Sequence, residues 1–480
     1  MPNAPTENSS VIDQLQPELA RRRKWRTLKD ITARYSIGFG GISVIIAIVL
    51  IFFYLLYVVL PLFASASITP MSSYPIPGGN VYSTELIALE EQNEIGVRFT
   101  SGGHALFFDT KSGGLIEDIV LPIPDNTSIT SFAQGNPVTR IVAYGLSDGR
   151  TLIARHQYQI TYPNDQRVIT PSIDFPFGEE PIIIDEDGAS INKLALRVGE
   201  EALTIVALLK SGVVLLAHYE KEESMLDDEV TLERMVSTVT DDMEVVDYML
   251  LDKEQRNLYL ADQNGTLRHY DLSDKEDPEL LGTTSVTEQG AKISHISFLA
   301  GELSLLIGES KGRISQWFTS RDKLGNRKLV QVRQFQLGND PIVAIAQEER
   351  RKGFVAADSS GNIGIFHTTA ERQLLVEKAA EPVQFLGLSP RANALMHQDK
   401  RGNFHFWKLE NEHPEISWSS LWGEVWYESY NEPEYIWQSS SASNDFEPKL
   451  SLTPLVFGTF KGAFYAMLFA IPLASMGAIY

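Results

Sequence analysis

The sequence predicts an all-β domain, a seven-bladed β-propeller, inserted between two transmembrane α-helices. One observation is a glycine-bearing polar turn followed by a short apolar strand, which recurs with its glycines at Gly103, Gly149, Gly212, Gly265, Gly312, Gly361 and Gly402. Another is a pair of uncharged or nearly uncharged runs, Ile37 to Leu60 and Leu450 to Tyr480, that flank the repeats. The third is the segregation of charge: residues 1–34 carry seven basic and four acidic side chains, Tyr35 to Thr84 carry none, and Glu85 to Lys449 carry 33 basic and 58 acidic.

The glycine spacings are 46, 63, 53, 47, 49 and 41 residues, which suits four short strands per unit. A tight hairpin asks for positive φ at a central position, and glycine accepts it without steric cost. Apolar strands such as "RIVAYGL", "LTIVALL" and "LSLLIGE" lead into the turns. Seven units give seven blades, each burying its faces on its neighbours. The 63-residue interval is irregular, so rings of six or eight blades also remain open.

Ile37 to Leu60 is 24 residues without a charge, long enough to cross a hydrocarbon core of roughly 30 Å. It is too long, and begins too late, for a signal peptide. The basic cluster Arg21, Arg22, Arg23 and Lys24 precedes it, which leaves the amino terminus in the cytoplasm by the positive-inside tendency. The region after it is then external, the periplasm in a two-membrane bacterium. The resulting domains are a cytoplasmic basic tail (1–34), a first transmembrane helix (35–61), a linker (62–80), the periplasmic propeller (81–410), an aromatic elbow with a flexible serine-rich link (411–449), and a second transmembrane helix (450–480).

Composition argues against several chemistries. Cysteine is absent, which removes disulfides, thiol nucleophiles and cysteine metal sites. A balance of -25 over Glu85 to Lys449, from 33 basic and 58 acidic residues, repels nucleic-acid phosphates. "DEDG" at Asp185 and "DQNG" at Asp262 resemble parts of a calcium loop, but Ile183 and Leu260 would occupy its first position, so both read as hairpin turns. The nine histidines show no metal-ligand spacing, and no cofactor is implied.

Trp418, Trp422, Trp426 and Tyr430 are spaced by four and would form one stripe on a helix. Such a stripe either packs on the propeller or lies at the headgroup level of a membrane. In the closing run, Gly458, Gly462, Ala466, Ala470, Ala474 and Ala478 also repeat every four residues, a spacing that lets membrane helices approach closely. Lys461 is best tolerated near an interface, with spanning beginning there. A simple second anchor with incidental alanines is the alternative.

"LTPLVFGTFKGAFYAMLFAIPLASMGAIY" resembles the opening of the permease core of bacterial phosphate ABC transporters, through Pro454, Leu455, Gly458, Thr459, Ile471, Pro472, Leu473, Gly477, Ala478, Ile479 and Tyr480. The preceding "WYESYNEPEYIWQ" resembles the junction in an enlarged subgroup with a large external insertion. The resemblance implies a transport component of the inner membrane, without enzymatic activity of its own. Its partners would be a second permease subunit, cytoplasmic ATPase subunits, a periplasmic phosphate-binding protein and membrane lipid. It further implies that the chain continues beyond Tyr480, since such permeases have more helices. Two other readings compete: an inner-membrane propeller scaffold for envelope protein assembly and, more remotely, a quinoprotein dehydrogenase.

Overall fold

The structure, a computed structural model, describes residues 9–200, 202–223, 230–240, 245–440 and 447–480, with side chains from residue 24 onward except 221–232. Two compact units are present, Met1–Ala64 and Ser65–Tyr480.

In the first unit, helix α1 (Ser9–Val59) is 51 residues long and passes into a 3-10 turn at Leu60–Phe63. The basic tail is therefore helical from Ser9, continuous with the apolar run. Lys24, Arg26, Lys29 and Arg34 are exposed on it; the side chains of Arg21, Arg22 and Arg23 lie outside the described residues, as do residues 1–8 altogether. Pro61 stands at the start of the 3-10 turn, where a residue without an N–H ends the α-helical ladder.

The second unit contains seven antiparallel sheets arranged as blades. Blade 1 is Thr84–Leu89, Ile95–Thr100, His104–Asp109 and Leu115–Val120; blade 2 is Ile129–Gln134, Ile141–Leu146, Arg150–Thr161 and Val168–Asp174. Blade 3 is Ile191–Val198, Ala202–Leu209, Val214–Glu223 and Val230–Thr240; blade 4 is Tyr248–Leu251, Asn257–Ala261, Thr266–Asp271 and Glu279–Ser285. Blade 5 is Ile293–Phe298, Ser304–Glu309, Arg313–Arg321 and Arg327–Gln336; blade 6 is Ile342–Gln347, Gly353–Asp358, Asn362–His367 and Arg372–Lys378. The third strand of blade 2 is long enough to pair with Val168–Asp174 along Arg155–Thr161 and with the short strand Ile182–Ile183 at Arg150 and Thr151, and this elongated hairpin with its added strand accounts for the 63-residue interval between Gly149 and Gly212.

Blade 7 draws its strands from both ends of the unit. Val383–Leu388, Ala394–Asp399 and Asn403–Glu410 are joined by Ser67–Pro75, which pairs antiparallel with Asn403–Glu410 and closes the ring. The segment expected as a linker thus supplies the closing strand. Its two prolines conceal it in the sequence, yet they suit an outermost strand, where a missing N–H costs no ladder bond; the register shifts between Pro70 and Ser72. Tyr74 packs with Phe108 and Phe404 and donates its hydroxyl to the Thr110 carbonyl at 2.8 Å, tying the closing strand to blade 1.

Second strands lie inside each blade and are buried on both faces: every residue of Ile95–Thr100, Ile141–Leu146, Ser304–Glu309 and Gly353–Asp358 is buried, most of them apolar. Between blades 5 and 6, Phe335, Phe354 and Phe366 pack ring on ring, with Phe354 and Phe366 stacked at 5.0 Å. Each such side chain contributes about 1.5–3 kcal/mol by leaving water. The outermost strand of blade 1, Leu115–Val120, is exposed along most of its length.

All seven marking glycines stand in the turn between second and third strands with φ between 75° and 100°. Gly312 is the most constrained, since a Cβ there would lie 2.4 Å from the backbone oxygen of Gly338. Gly312→Ala should therefore destabilise the propeller by about 2 kcal/mol or more, whereas Gly282→Ala, whose Cβ meets open space, should cost less than about 0.5 kcal/mol. Thermal denaturation of the full chain in detergent measures the difference, and equal losses at both positions would refute the assignment of the turn.

Candidate functional site

Turns joining first to second and third to fourth strands gather on one face of the ring. The glycine turns and the links between blades occupy the other. On the axis, the first strands enclose a cavity of about 700 Å³. Glu302, at the first turn of blade 5, crosses its end: it accepts from Arg197 of blade 3 at Nε and Nη2, both 2.9 Å, and from Asn136 Nδ2 of blade 2 at 3.0 Å. Burial raises the Glu302 pKa and the adjacent Arg197 opposes that shift. Among the lining residues, burial holds His156 down to about 3 and His295 to about 4, so both imidazoles are neutral at ordinary pH.

A second feature is built from residues 411–440 and 447–452, which leave blade 7 at Glu410 and cross the first-turn face of blades 5 and 6 as a strap. Glu428 is its anchor. One carboxylate oxygen meets Lys352 Nζ at 2.5 Å and the other accepts from Ser304 Oγ at 2.5 Å. Lys352 also donates to the Ala300 carbonyl at 2.5 Å. Ser304 accepts from Gln316, whose oxygen receives Arg333 Nη1 at 3.1 Å, and Arg333 Nη2 reaches the Trp426 carbonyl at 2.7 Å. Glu447 accepts from the Glu428 N–H at 2.9 Å and from Thr369 Oγ1. Arg351 and Arg372 hold the strap's entry through the carbonyls of Asn411 and Ile416, each at 2.7 Å.

Arg333, Lys352, Glu428 and Glu447 are buried charges, each with partners on two chain segments far apart in sequence. Removing one member leaves the other desolvated, at a cost of about 3–5 kcal/mol. Glu447, buried beside Glu428, has its pKa raised, by desolvation first and then by the Glu428 charge.

The aromatic stripe is not one helix. Helix α2 (Trp418–Trp422) spans five residues, opened by a capping box of Ser417 and Ser420 and ended at Gly423. Trp418 and Trp422 are exposed on it, while Trp426 lies beyond it, edge-on to Phe318 of blade 5 at 5.9 Å with Nε1 donating to the Tyr430 carbonyl. Lys449 Nζ stands 5.5 Å from the Tyr430 ring centre. Most of the serine-rich link, residues 441–446, falls outside the described residues.

The strap delivers the chain into helix α3 (Thr453–Ile479), which is apolar, exposed along its length and contains Pro472. Gly458, Gly462, Ala466, Ala470, Ala474 and Ala478 lie along it, and a Cβ on Gly458 or Gly462 would meet nothing within 4 Å. Lys461 is exposed two turns into α3, so the helix starts well before the position expected for the span.

The calcium-like turns are closed by their own aspartates: Asp262 Oδ1 accepts from Thr266 N at 2.8 Å in the expected hairpin of blade 4, and Asp185 Oδ2 from Ala189 N at 2.7 Å in a turn that is no hairpin but part of the link from blade 2 to blade 3. Among the described residues, no group of three or more His, Asp or Glu is placed to hold a metal ion.

No known protein-family model matches this chain, and no curated protein matches it. Solved structures do. The Myceliophteria thermophila Cps50 (Swd1) β-propeller domain is 11% identical with a TM-score of 0.46, covering 71% of this chain and 99% of its own. A chain of a mitotic checkpoint complex is 12% identical with a TM-score of 0.46, covering 72% and 96%. Chaetomium thermophilum Raptor is 13% identical with a TM-score of 0.48; the match covers 72% of this chain and 29% of Raptor. The expected kinship with phosphate permeases is corrected by these findings: the proteins that match are a propeller domain, a checkpoint-complex chain and Raptor, none of them a transporter. With it go the transport function and the expected second permease subunit, ATPase subunits and phosphate-binding protein. The likeness rested on roughly 60 residues at the end of the chain, and its motif residues lie in the apolar helix, where few residue types are in use and short matches arise from composition.

Lys352→Met should lower stability by about 3–5 kcal/mol and expose residues 411–450 to protease, while Lys352→Met with Glu428→Leu should recover most of the loss. Acidification should act on buried carboxylates and buried histidines in opposite directions. Because the folded pKa values of Glu447 and of Glu302 lie above the ordinary 4.5, their contributions are complete below that value and decline as pH rises towards the folded pKa. His367 and His397, held down to about 3 chiefly by burial, contribute stability above their ordinary 6.5 that is lost as pH falls. His397→Gln should therefore flatten the change of melting temperature between pH 7 and 5, and an unchanged pH slope would contradict this.

Proposed function

We propose that the chain is a membrane-anchored propeller scaffold, a rigid platform that holds protein partners beside a membrane during envelope protein assembly. The observation that carries this reading is the strap. Its buried ionic network fixes Trp426 and Glu428 to blades 5 and 6, and backbone bonds from Leu452 to Leu421 (2.8 Å) and from Ser451 to Ile436 (3.0 Å) then start α3 from a braced point. A propeller joined so closely to an apolar helix is positioned, not merely tethered.

The basic residues ahead of the apolar run of α1 support an amino terminus in the cytoplasm and a propeller in the periplasm of a two-membrane bacterium. The fold supports docking over catalysis by how its ionisable groups are engaged. Arg98 gives its guanidinium to Thr84 and to the carbonyls of Pro77, Gly79 and Tyr82, and Glu302 and Glu428 close structural pairs. Strap and α3 occupy the first-turn side, so the glycine-turn face is the one offered to partners.

A photo-reactive residue at Lys210 or Lys400, both in glycine turns, should capture discrete envelope proteins in intact cells. Capture should persist when 453–479 is replaced by an unrelated apolar helix. Absence of any adduct from this face, or loss of capture on the helix exchange, would count against a scaffold.

A further inference from the structure

Four large aromatic side chains are exposed around the base of α3: Trp418 (72%), Trp422 (44%), Tyr435 (44%) and Trp437 (43%). Rings of this size normally lose their contact with water, and a cluster of them marks a surface that something else covers. Backbone geometry fixes all four to the start of one helix. Trp437 is the strand partner of Leu450, Ser451 N donates to the carbonyl of Ile436, Leu452 N donates to that of Leu421, and Thr453 Oγ1 lies 3.5 Å from the carbonyl of Trp422. The capping box and the bond from Ser419 Oγ to the Ala370 carbonyl (3.2 Å) hold α2 against blade 6, so the rings cannot fold away.

We propose that these four rings form a lipid-docking belt that sits in the headgroup layer and stands the propeller on the membrane by its first-turn face. The occupant is argued from continuity. Leu455, Phe457 and Phe460 carry the exposed apolar surface directly on into a 27-residue helix, so whatever solvates α3 also meets the belt. Indole and phenol rings, apolar in body with one polar edge, suit the boundary between headgroups and acyl chains. Glu432 and Glu434 are exposed beside the rings, which makes recognition a matter of ring burial and not of attraction to anionic headgroups. The three-residue step from Leu450 to Thr453 leaves no slack for the propeller to tilt away.

This inference rests on the membrane reading of α3, and the test separates the two. The native chain has no cysteine, so single-cysteine variants of the full chain can be spin-labelled cleanly. Labels at Trp418→Cys, Tyr435→Cys and Trp437→Cys, with Phe464→Cys inside α3 and Lys400→Cys on the glycine-turn face, are compared in phosphatidylcholine nanodiscs. Collision with a water-soluble nickel chelate and with oxygen gives the depth of each. The belt predicts a several-fold loss of nickel collision at 418, 435 and 437 relative to 400, with the deepest signal at 464. The belt is overturned if 464 lies deep while 418, 435 and 437 match 400. If 464 itself collides freely with nickel, the membrane reading fails with it. An unchanged circular-dichroism spectrum for each variant excludes misfolding as the cause.

Discussion

The pairing of Ser67–Pro75 with Asn403–Glu410 is the constraint on which the remainder rests. Each blade buries its faces against two neighbours, so a ring with one unclosed blade exposes apolar surface on both sides of the gap. The joining strand comes from the opposite end of the unit, which makes closure a contact between residues more than 300 positions apart. It also fixes geometry at the join: residues 67 and 410 are partners, so the strap begins beside the closing strand, on the first-turn face.

From that starting point the strap has one course that satisfies its charges. Arg333, Lys352, Glu428 and Glu447 would each be costly inside an apolar blade contact, and together they are matched across the strap with donors facing acceptors. Apolar packing alone would let the strap slide, since it is non-directional. A carboxylate between Lys352 Nζ and Ser304 Oγ has one register. Directional bonds at a desolvated site convert a loose connector into a bracket, and the bracket sets where α3 begins.

Local features were legible in the sequence and long-range ones were not. Positive φ at a hairpin is a demand on one residue, so the glycines at 103, 149, 212, 265, 312, 361 and 402 announce the blades directly, and the irregular interval is an elongated outer hairpin with a short added strand in blade 2. The closing strand was hidden because Pro70 and Pro75 break the alternating pattern, and because its partner lies at the far end of the domain. Spacing by four across Trp418, Trp422, Trp426 and Tyr430 suggested a helix, yet Gly423 ends α2 after two of them, and the other two turn inward to Phe318 and Lys449. Nothing local in the sequence sets Glu428 and Lys352 apart from the other charged residues; only the tertiary fold brings them together and excludes water. The small residues of α3 matched a family motif through a shared apolar vocabulary, which is weak ground for kinship.

The two faces of the ring consequently have different physical characters. On the first-turn face, turns carry side chains that bond across blades: Glu302 bridges blades 2, 3 and 5, and the strap ties blades 5 and 6. On the glycine-turn face, the turns are closed by their own backbone and aspartates, as at Asp358 and Asp399, and neighbouring blades are tied by Thr130 to the Ile191 carbonyl and Tyr248 to the Ile293 carbonyl. Exposed turn side chains there, such as Lys210 and Lys400, can vary without disturbing closure, bracket or axis. A surface free to vary, held at a set height by a rigid bracket on the opposite side, is where specificity for a partner can be written without cost to the fold.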